Sequence, residues 1–178
     1  MTVRLSRRAI LRAGVGAAAV APLALPSNAQ KYVPGEDSFA YEVQRSEADW
    51  LADLGENDYK ILRLGHTEMR RSSEHWNREA DVAGLYSCKG CDLPLYQASW
   101  KRVLDIGWVF FNHSEPNAVL TAIEWPDGAG MMEEFKSRTA IEAHCRRCGS
   151  HLGHIVSIKN EVLHCINGAS LTFAPAST

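Results

Sequence analysis

Apolar residues recur at two different periods along this chain, and the change falls near Gly84. Before it, Trp50, Leu51 and Leu54 form one helical stripe, and Tyr59, Ile61, Leu62 and Leu64 form another. Ser46 reads as the N-cap of the first helix, with Glu47 and Asp49 in its first turn and Gly55 as its stop. Asn57 caps the second helix and Gly65 ends it. Residues 66–83 are polar and irregular. Beyond Gly84 the pattern is strand-like over 85–88, 93–96, 108–111, 118–125, 139–145, 151–157, 161–166 and 170–173. Turn residues at 114–117 and a loop at 126–130 separate these runs. The predicted fold is mainly β with short N-terminal helices, its strands forming an antiparallel curled sheet or a small β-barrel.

The first residues stand apart from that pattern. Arg4, Arg7, Arg8 and Arg12 surround a twin-arginine motif, and an apolar run from Ala13 to Leu25 follows. Ser27 and Ala29 then occupy the −3 and −1 positions of a cut before Gln30. The run is shorter than the roughly 20 residues that span a bilayer. Residues 1–29 are therefore expected to be a cleaved export signal, with periplasmic delivery and no stable membrane anchor afterwards. Residues 30–40, with Pro34 and Gly35, form a flexible lead-in, and 41–174 a single domain. Losing four arginines leaves 15 basic against 21 acidic residues, a net charge of about −6. That balance argues against a general nucleic-acid binder.

Five cysteines is an odd number, and four of them form two Cys-x-x-Cys pairs. Cys88 and Cys91 make one pair, Cys145 and Cys148 the other, with Gly90 and Gly149 where the backbone must curl. Two such turns supply the four sulfurs that a closed, structural Zn²⁺ site requires. Two disulfides and a thioredoxin-like redox pair are the alternatives. The redox motif opens a helix after a strand, however, whereas these pairs sit between strand-like runs.

Cys165 is left over. His164 adjoins it, Asn167 lies two positions on, and His151 and His154 precede it. On a strand, residues 165 and 167 share a face, so thiol, amide and imidazoles can line one pocket. A buried, inert thiol is the plainer reading of a free cysteine.

With these residues in order, the chain resembles the methionine-R-sulfoxide reductases of the MsrB type. The likeness runs from Tyr41 to Phe173. It rests on the zinc pairs, Leu93-Pro94-Leu95-Tyr96, Gly107-Trp108, His151-Leu152-Gly153-His154, and Cys165-Ile166-Asn167 with Ala169-Ser170-Leu171. The resemblance implies reduction of the R epimer of methionine sulfoxide, in proteins or peptides, on a zinc-stapled β-fold. Cys165 as thiolate is then the nucleophile and passes through a sulfenic acid. His151 and His154 are the proton donors, Asn167 holds a polar group beside the sulfoxide oxygen, and Trp108 and Phe111 line the substrate.

The chain also departs from that family. Ile106 stands where many relatives carry a resolving cysteine, so a thioredoxin-like or other thiol reductant must recycle Cys165. The family's Gly-Trp-Pro-Ser-Phe reads Gly107-Trp108-Val109-Phe110-Phe111. Leu163 replaces an arginine, Gly168 a serine, and the loop after His154 is shortened to residues 155–160. These changes make the pocket more apolar. They leave a second expectation beside the enzyme: a zinc-stapled module that binds oxidised or apolar peptides with weak turnover or none.

Overall fold

The computed structural model describes residues 39–77, 83–124 and 140–177. The signal at 1–29, most of the lead-in and the loop at 126–130 lie outside them. Helix α1 (Glu47–Leu64) begins where Ser46 Oγ accepts the N–H of Asp49 at 3.1 Å, and ends on Gly65 in the left-handed conformation. It breaks at Gly55, whose φ of 74° and ψ of 165° are not helical. The two expected helices are thus halves of one element that meet at a kink. Trp50, Ile61 and Leu62 form its buried side.

Nine strands follow in the order β1 (Gly84–Cys88), β2 (Pro94–Gln97), β3 (Lys101–Arg102), β4 (Val109–Phe111), β5 (Val119–Glu124), β6 (Ala140–Cys145), β7 (His151–Ile158), β8 (Glu161–Ile166) and β9 (Leu171–Pro175). They form a three-stranded sheet, β2-β1-β9, and a six-stranded sheet, β3-β4-β8-β7-β6-β5. All paired neighbours are antiparallel. The fold is mainly β as expected. Its sheets are open, not a closed barrel, and the two-residue β3 that edges the larger sheet is absent from the periodicity.

Alternation along the strands decides which side chains reach the site. Phe110, Cys165, His154 and Glu142 are successive cross-strand partners on β4, β8, β7 and β6, so they form one row. The adjacent row runs Phe111, His164, Ile155, Ile141 and Ile123. Neighbours on β4 therefore serve different interiors. Phe111 stacks on Tyr96 at 4.2 Å between ring centres, inside the main core with Tyr86, Leu95, Val109, Leu152 and Ile166. Phe110 joins a second apolar cluster with Trp108 and Leu163, against which Leu104, Ile106, Val156, Ile158 and Cys165 pack. Each fully buried aromatic or leucine stabilises the fold by roughly 1.5–3 kcal/mol.

Candidate active site and metal centre

Cys88 and Cys91 bracket the turn between β1 and β2, while Cys145 and Cys148 bracket the turn between β6 and β7. The fold brings both turns together. Cys88 Sγ lies 3.7 Å from Cys148 Sγ, Cys91 Sγ lies 3.5 Å from Cys145 Sγ, and all four sulfurs fall within 4.8 Å of one another. A disulfide would need about 2.05 Å. Four sulfurs around one ion at about 2.3 Å would stand roughly 3.8 Å apart. The spacing fits a shared metal ion and excludes cystines.

Helix α1 braces this cluster with a buried cation. Arg63 donates to the Cys148 carbonyl at 3.0 Å and to Ser150 Oγ at 3.2 Å, and its guanidinium lies 4.5 Å above the Trp50 ring. Burial lowers the Arg63 pKa, while neighbouring Cys148 and Cys88 favour its charged form. A positive side chain here offsets the negative charge of a thiolate cage.

Cys165 lies in the first of these rows, between Phe110 and His154. Gly153 allows β7 to approach it: its φ is 152°, and a Cβ there would sit 2.1 Å from the Cys165 carbonyl oxygen. His154 consequently pairs directly with Cys165 across the strands. Burial, and secondly the charge of Glu68, push the Cys165 thiol up to about 12. Both effects favour the protonated thiol over the thiolate. His164 does not face it. That ring turns into the other row, where its Nδ1 meets Tyr96 Oη at 3.1 Å and burial lowers its pKa.

Both predicted imidazoles are anchored by acids. His154 Nε2 lies 2.6 Å from Glu124 Oε2, and His151 Nδ1 lies 2.8 Å from Glu142 Oε1. The two rings are 5.3 Å apart at 67°. A carboxylate on one nitrogen selects which edge of the ring is presented elsewhere. Glu124 thus holds the Nε2 edge of His154.

Glu68, from the irregular segment after α1, joins the remaining pieces. Its carboxylate accepts the N–H of Gly168 at 2.8 Å and of Ala169 at 2.9 Å. Its own N–H reaches Asn167 Oδ1 at 3.1 Å, and its carbonyl accepts Trp108 Nε1 at 3.3 Å. Burial raises the Glu68 pKa, with the two backbone donors opposing. Gly168 is needed beside this clamp, because a Cβ would stand 2.0 Å from Ser73 Oγ. Ser73 thus fills the space in which the family's serine side chain is expected.

The structure gathers Cys165, His154, His151, Asn167 and Trp108 at one end of the larger sheet. It separates Phe111 from them. Phe111, read from sequence as lining the substrate, points into the main core, because the adjacent Phe110 takes the Cys165 side of β4. Leu163, in place of the expected arginine, is 2% exposed against Trp108 and Phe110. A cation comes instead from outside the sheet: the Arg70 guanidinium lies 4.8 Å above the Trp108 ring. Glu68, Glu124 and Glu142 belong to no motif that singles them out, and the Cys165 side of β4 falls to Phe110. The available signal was a set of acids at strand or turn positions, where a carboxylate must find a partner once buried.

Residues 54–175 match the family model described as the SelR domain. Among curated proteins, "Peptide methionine sulfoxide reductase MsrB" of Thiobacillus denitrificans is 36% identical over 134 residues, covering 74% of this chain and 94% of that protein. "Peptide methionine sulfoxide reductase B5" of Oryza sativa is 34% identical over 139 residues, 75% of this chain and 93% of that one. The chloroplastic B3 protein of the same species is 36% identical over 76% of this chain, which spans only 56% of that relative. A solved "Yippee-like" domain of Mis18 aligns at a TM-score of 0.42 and 12% identity, covering 54% of this chain and 99% of that one. That likeness bears no argument.

Proposed function

The chain belongs to the SelR domain family, and from that premise we propose that it is a peptide-methionine (R)-S-oxide reductase acting through Cys165. The observation carrying this reading is the cross-strand pairing of Cys165 with His154 beside Trp108, Phe110 and Leu163. It sets a nucleophile, an imidazole and an apolar wall side by side. The wall suits the methyl group at the sulfoxide sulfur, and a wall on one side of a chiral centre selects an epimer.

The first step is internally balanced. The sulfoxide S–O bond breaks, the oxygen becomes bonded to Cys165 sulfur, and the thiol proton ends on that oxygen. Methionine sulfur is reduced by two electrons and Cys165 is oxidised by two, to the sulfenic acid. The Cys165 thiol itself carries the proton the oxygen needs. His154 is the relay for it and His151 supports the relay. Two external thiols then return Cys165 to the thiol, yielding their disulfide and water. A thioredoxin-like dithiol suits this role, since the other four cysteines are committed elsewhere.

Cys88, Cys91, Cys145 and Cys148 are assigned to a structural Zn²⁺, which their sulfur spacing supports. Bound by these four sulfurs, zinc would supply a crosslink between the two turns. Residues 1–29 are assigned to twin-arginine export and the mature protein to the periplasm. Among the described residues no helix is long and apolar enough to cross a membrane.

A second reading is favoured by one observation: Trp108 is 5% exposed and packs with the buried Leu163. An apolar wall so tightly packed fits a binding module that grips oxidised peptides without reducing them. Incubation with methionine-R-sulfoxide and a dithiol separates the two. More than one equivalent of methionine per protein, lost in Cys165→Ser, is the expected result. Binding without product overturns the enzyme, and equal rates on the S epimer overturn the stereochemical assignment.

A further inference from the structure

The ladder between β4 and β8 has Val109 opposite Ile166 as its terminal pair. The next residues outward are Trp108 and Asn167, both predicted to face substrate. They lie past the last rung of that ladder. Glu68 spans this gap with its main chain, donating to Asn167 and accepting from Trp108. Its side chain meanwhile holds the turn that follows Asn167. The surrounding segment packs on the same two places. Arg71 N–H reaches the Gly107 carbonyl at 2.8 Å, and Ser73 abuts Gly168.

We propose that Glu68 is a positioning residue of this site, bridging the open end of the β4–β8 ladder and thereby fixing Trp108 and Asn167 relative to Cys165. The proposal rests on the reductase reading for its catalytic consequence, but its geometric part does not. The carboxylate does two separable things. It orders the Asn167–Ala169 turn through two backbone donors, and it sets a negative charge near the nucleophile, which opposes ionisation of Cys165. The other ionisable groups around that thiol are His154 on β7 with Glu124 behind it, the His151–Glu142 pair, and Arg70 over Trp108. β4 presents only Phe110.

Glu68→Gln removes the charge and opposes one backbone donor with an amide NH₂. Glu68→Asp keeps the charge but is one methylene too short for both donors. The readouts are kcat and KM on methionine-R-sulfoxide, and the pH profile of Cys165 alkylation by iodoacetamide, followed on the peptide containing it. Both variants are expected to lose kcat by about tenfold or more with KM little changed, as Asn167 and Trp108 lose their alignment in the transition state. Glu68→Gln alone should move the alkylation midpoint to lower pH. Wild-type kcat in both variants overturns the proposal, as does an alkylation profile in Glu68→Gln identical to wild type. So does a loss confined to melting temperature and metal content, which marks a merely structural residue. A wild-type Cys165 that alkylates with the midpoint of an ordinary thiol also overturns it, whether or not the variants fold. If the wild type has no turnover, the reductase reading fails while the alkylation shift still tests Glu68.

Discussion

His151 and Glu142 are joined by a 2.8 Å hydrogen bond from Nδ1 to Oε1, and neither side chain is exposed. A carboxylate so placed fixes the tautomer and tilt of the ring beside His154. Glu142→Gln keeps the volume but removes the charge that supports the imidazole. Turnover is expected to fall about 10²-fold, the lower range of what a positioned acid or base contributes, with the melting temperature nearly unchanged. Glu142→Ala removes the buried carboxylate from the ring's Nδ1 and should cost about 3 kcal/mol of stability. Steady-state kinetics and denaturant titration measure the two effects.

Leu163 offers a test of whether an arginine belongs in this pocket. Its side chain is packed in an apolar cluster, so Leu163→Arg must bury or displace a guanidinium beside Trp108 and Phe110. The variant is expected to be less stable by about 2 kcal/mol or more. It should also be slower, not faster, on methionine-R-sulfoxide. Thermal melting and initial rates on both epimers check this.

Gly153 permits no side chain. Gly153→Ala drives a Cβ into the Cys165 carbonyl and forces a non-glycine residue to a φ of 152°. The strained backbone alone costs on the order of 1–3 kcal/mol, before the clash is counted. Reduced soluble yield and a lower denaturation midpoint are expected, with loss of the β7–β8 register visible in hydrogen exchange.

The four clustered sulfurs predict a thiol count that depends on metal. In native protein a small disulfide reagent should find at most the Cys165 thiol, and after chelation all five cysteines. Chelation should also lower the melting temperature, because the crosslink between the two turns is lost. Metal analysis giving one zinc per chain completes the test. Five reactive thiols before chelation would contradict the cage.

Cys165 also predicts a pH dependence of stability. Its thiol ionises near its ordinary value of 9.0 once the chain unfolds, but only at about 12 in the folded state. The unfolded state sheds this proton first, so stability declines as pH rises from 9 toward 12. Cys165→Ser should flatten that decline. Urea titrations of both proteins between pH 8 and 10.5 measure the difference.

The cysteine knuckles and most element positions were readable because local spacing dictates them. Cap residues and helical stripes placed α1, including its interruption at Gly55, and alternation placed all strands except the two-residue β3. The face each strand turns inward was less legible. Ile123 and Ile141 are 61% and 49% exposed, while Glu124 and Glu142 on the same strands are buried. Hydrophobic alternation alone would turn β5 and β6 the wrong way round. The inversion occurs because the inward row there carries the acids that hold the histidines. The Phe110–Phe111 exchange has the same origin. Two adjacent aromatics satisfy either register, and only pairing with β8 decides between them. Glu68 was hidden differently, since its partners lie about a hundred residues away.

The brace between α1 and the cysteine turns has a kinetic consequence. Arg63 reaches Ser150 across 87 positions, and Cys88 meets Cys148 across 60. The first contact cannot form until the chain has been synthesised past Ser150, nor the second until it has passed Cys148. Pairings of such long range slow the search for the native state. A ribosome-bound fragment ending before Cys145 should hold α1 undocked and remain open to proteolysis. Completing the last two hairpins would then consolidate helix, knuckles and catalytic end together, late and in one cooperative event.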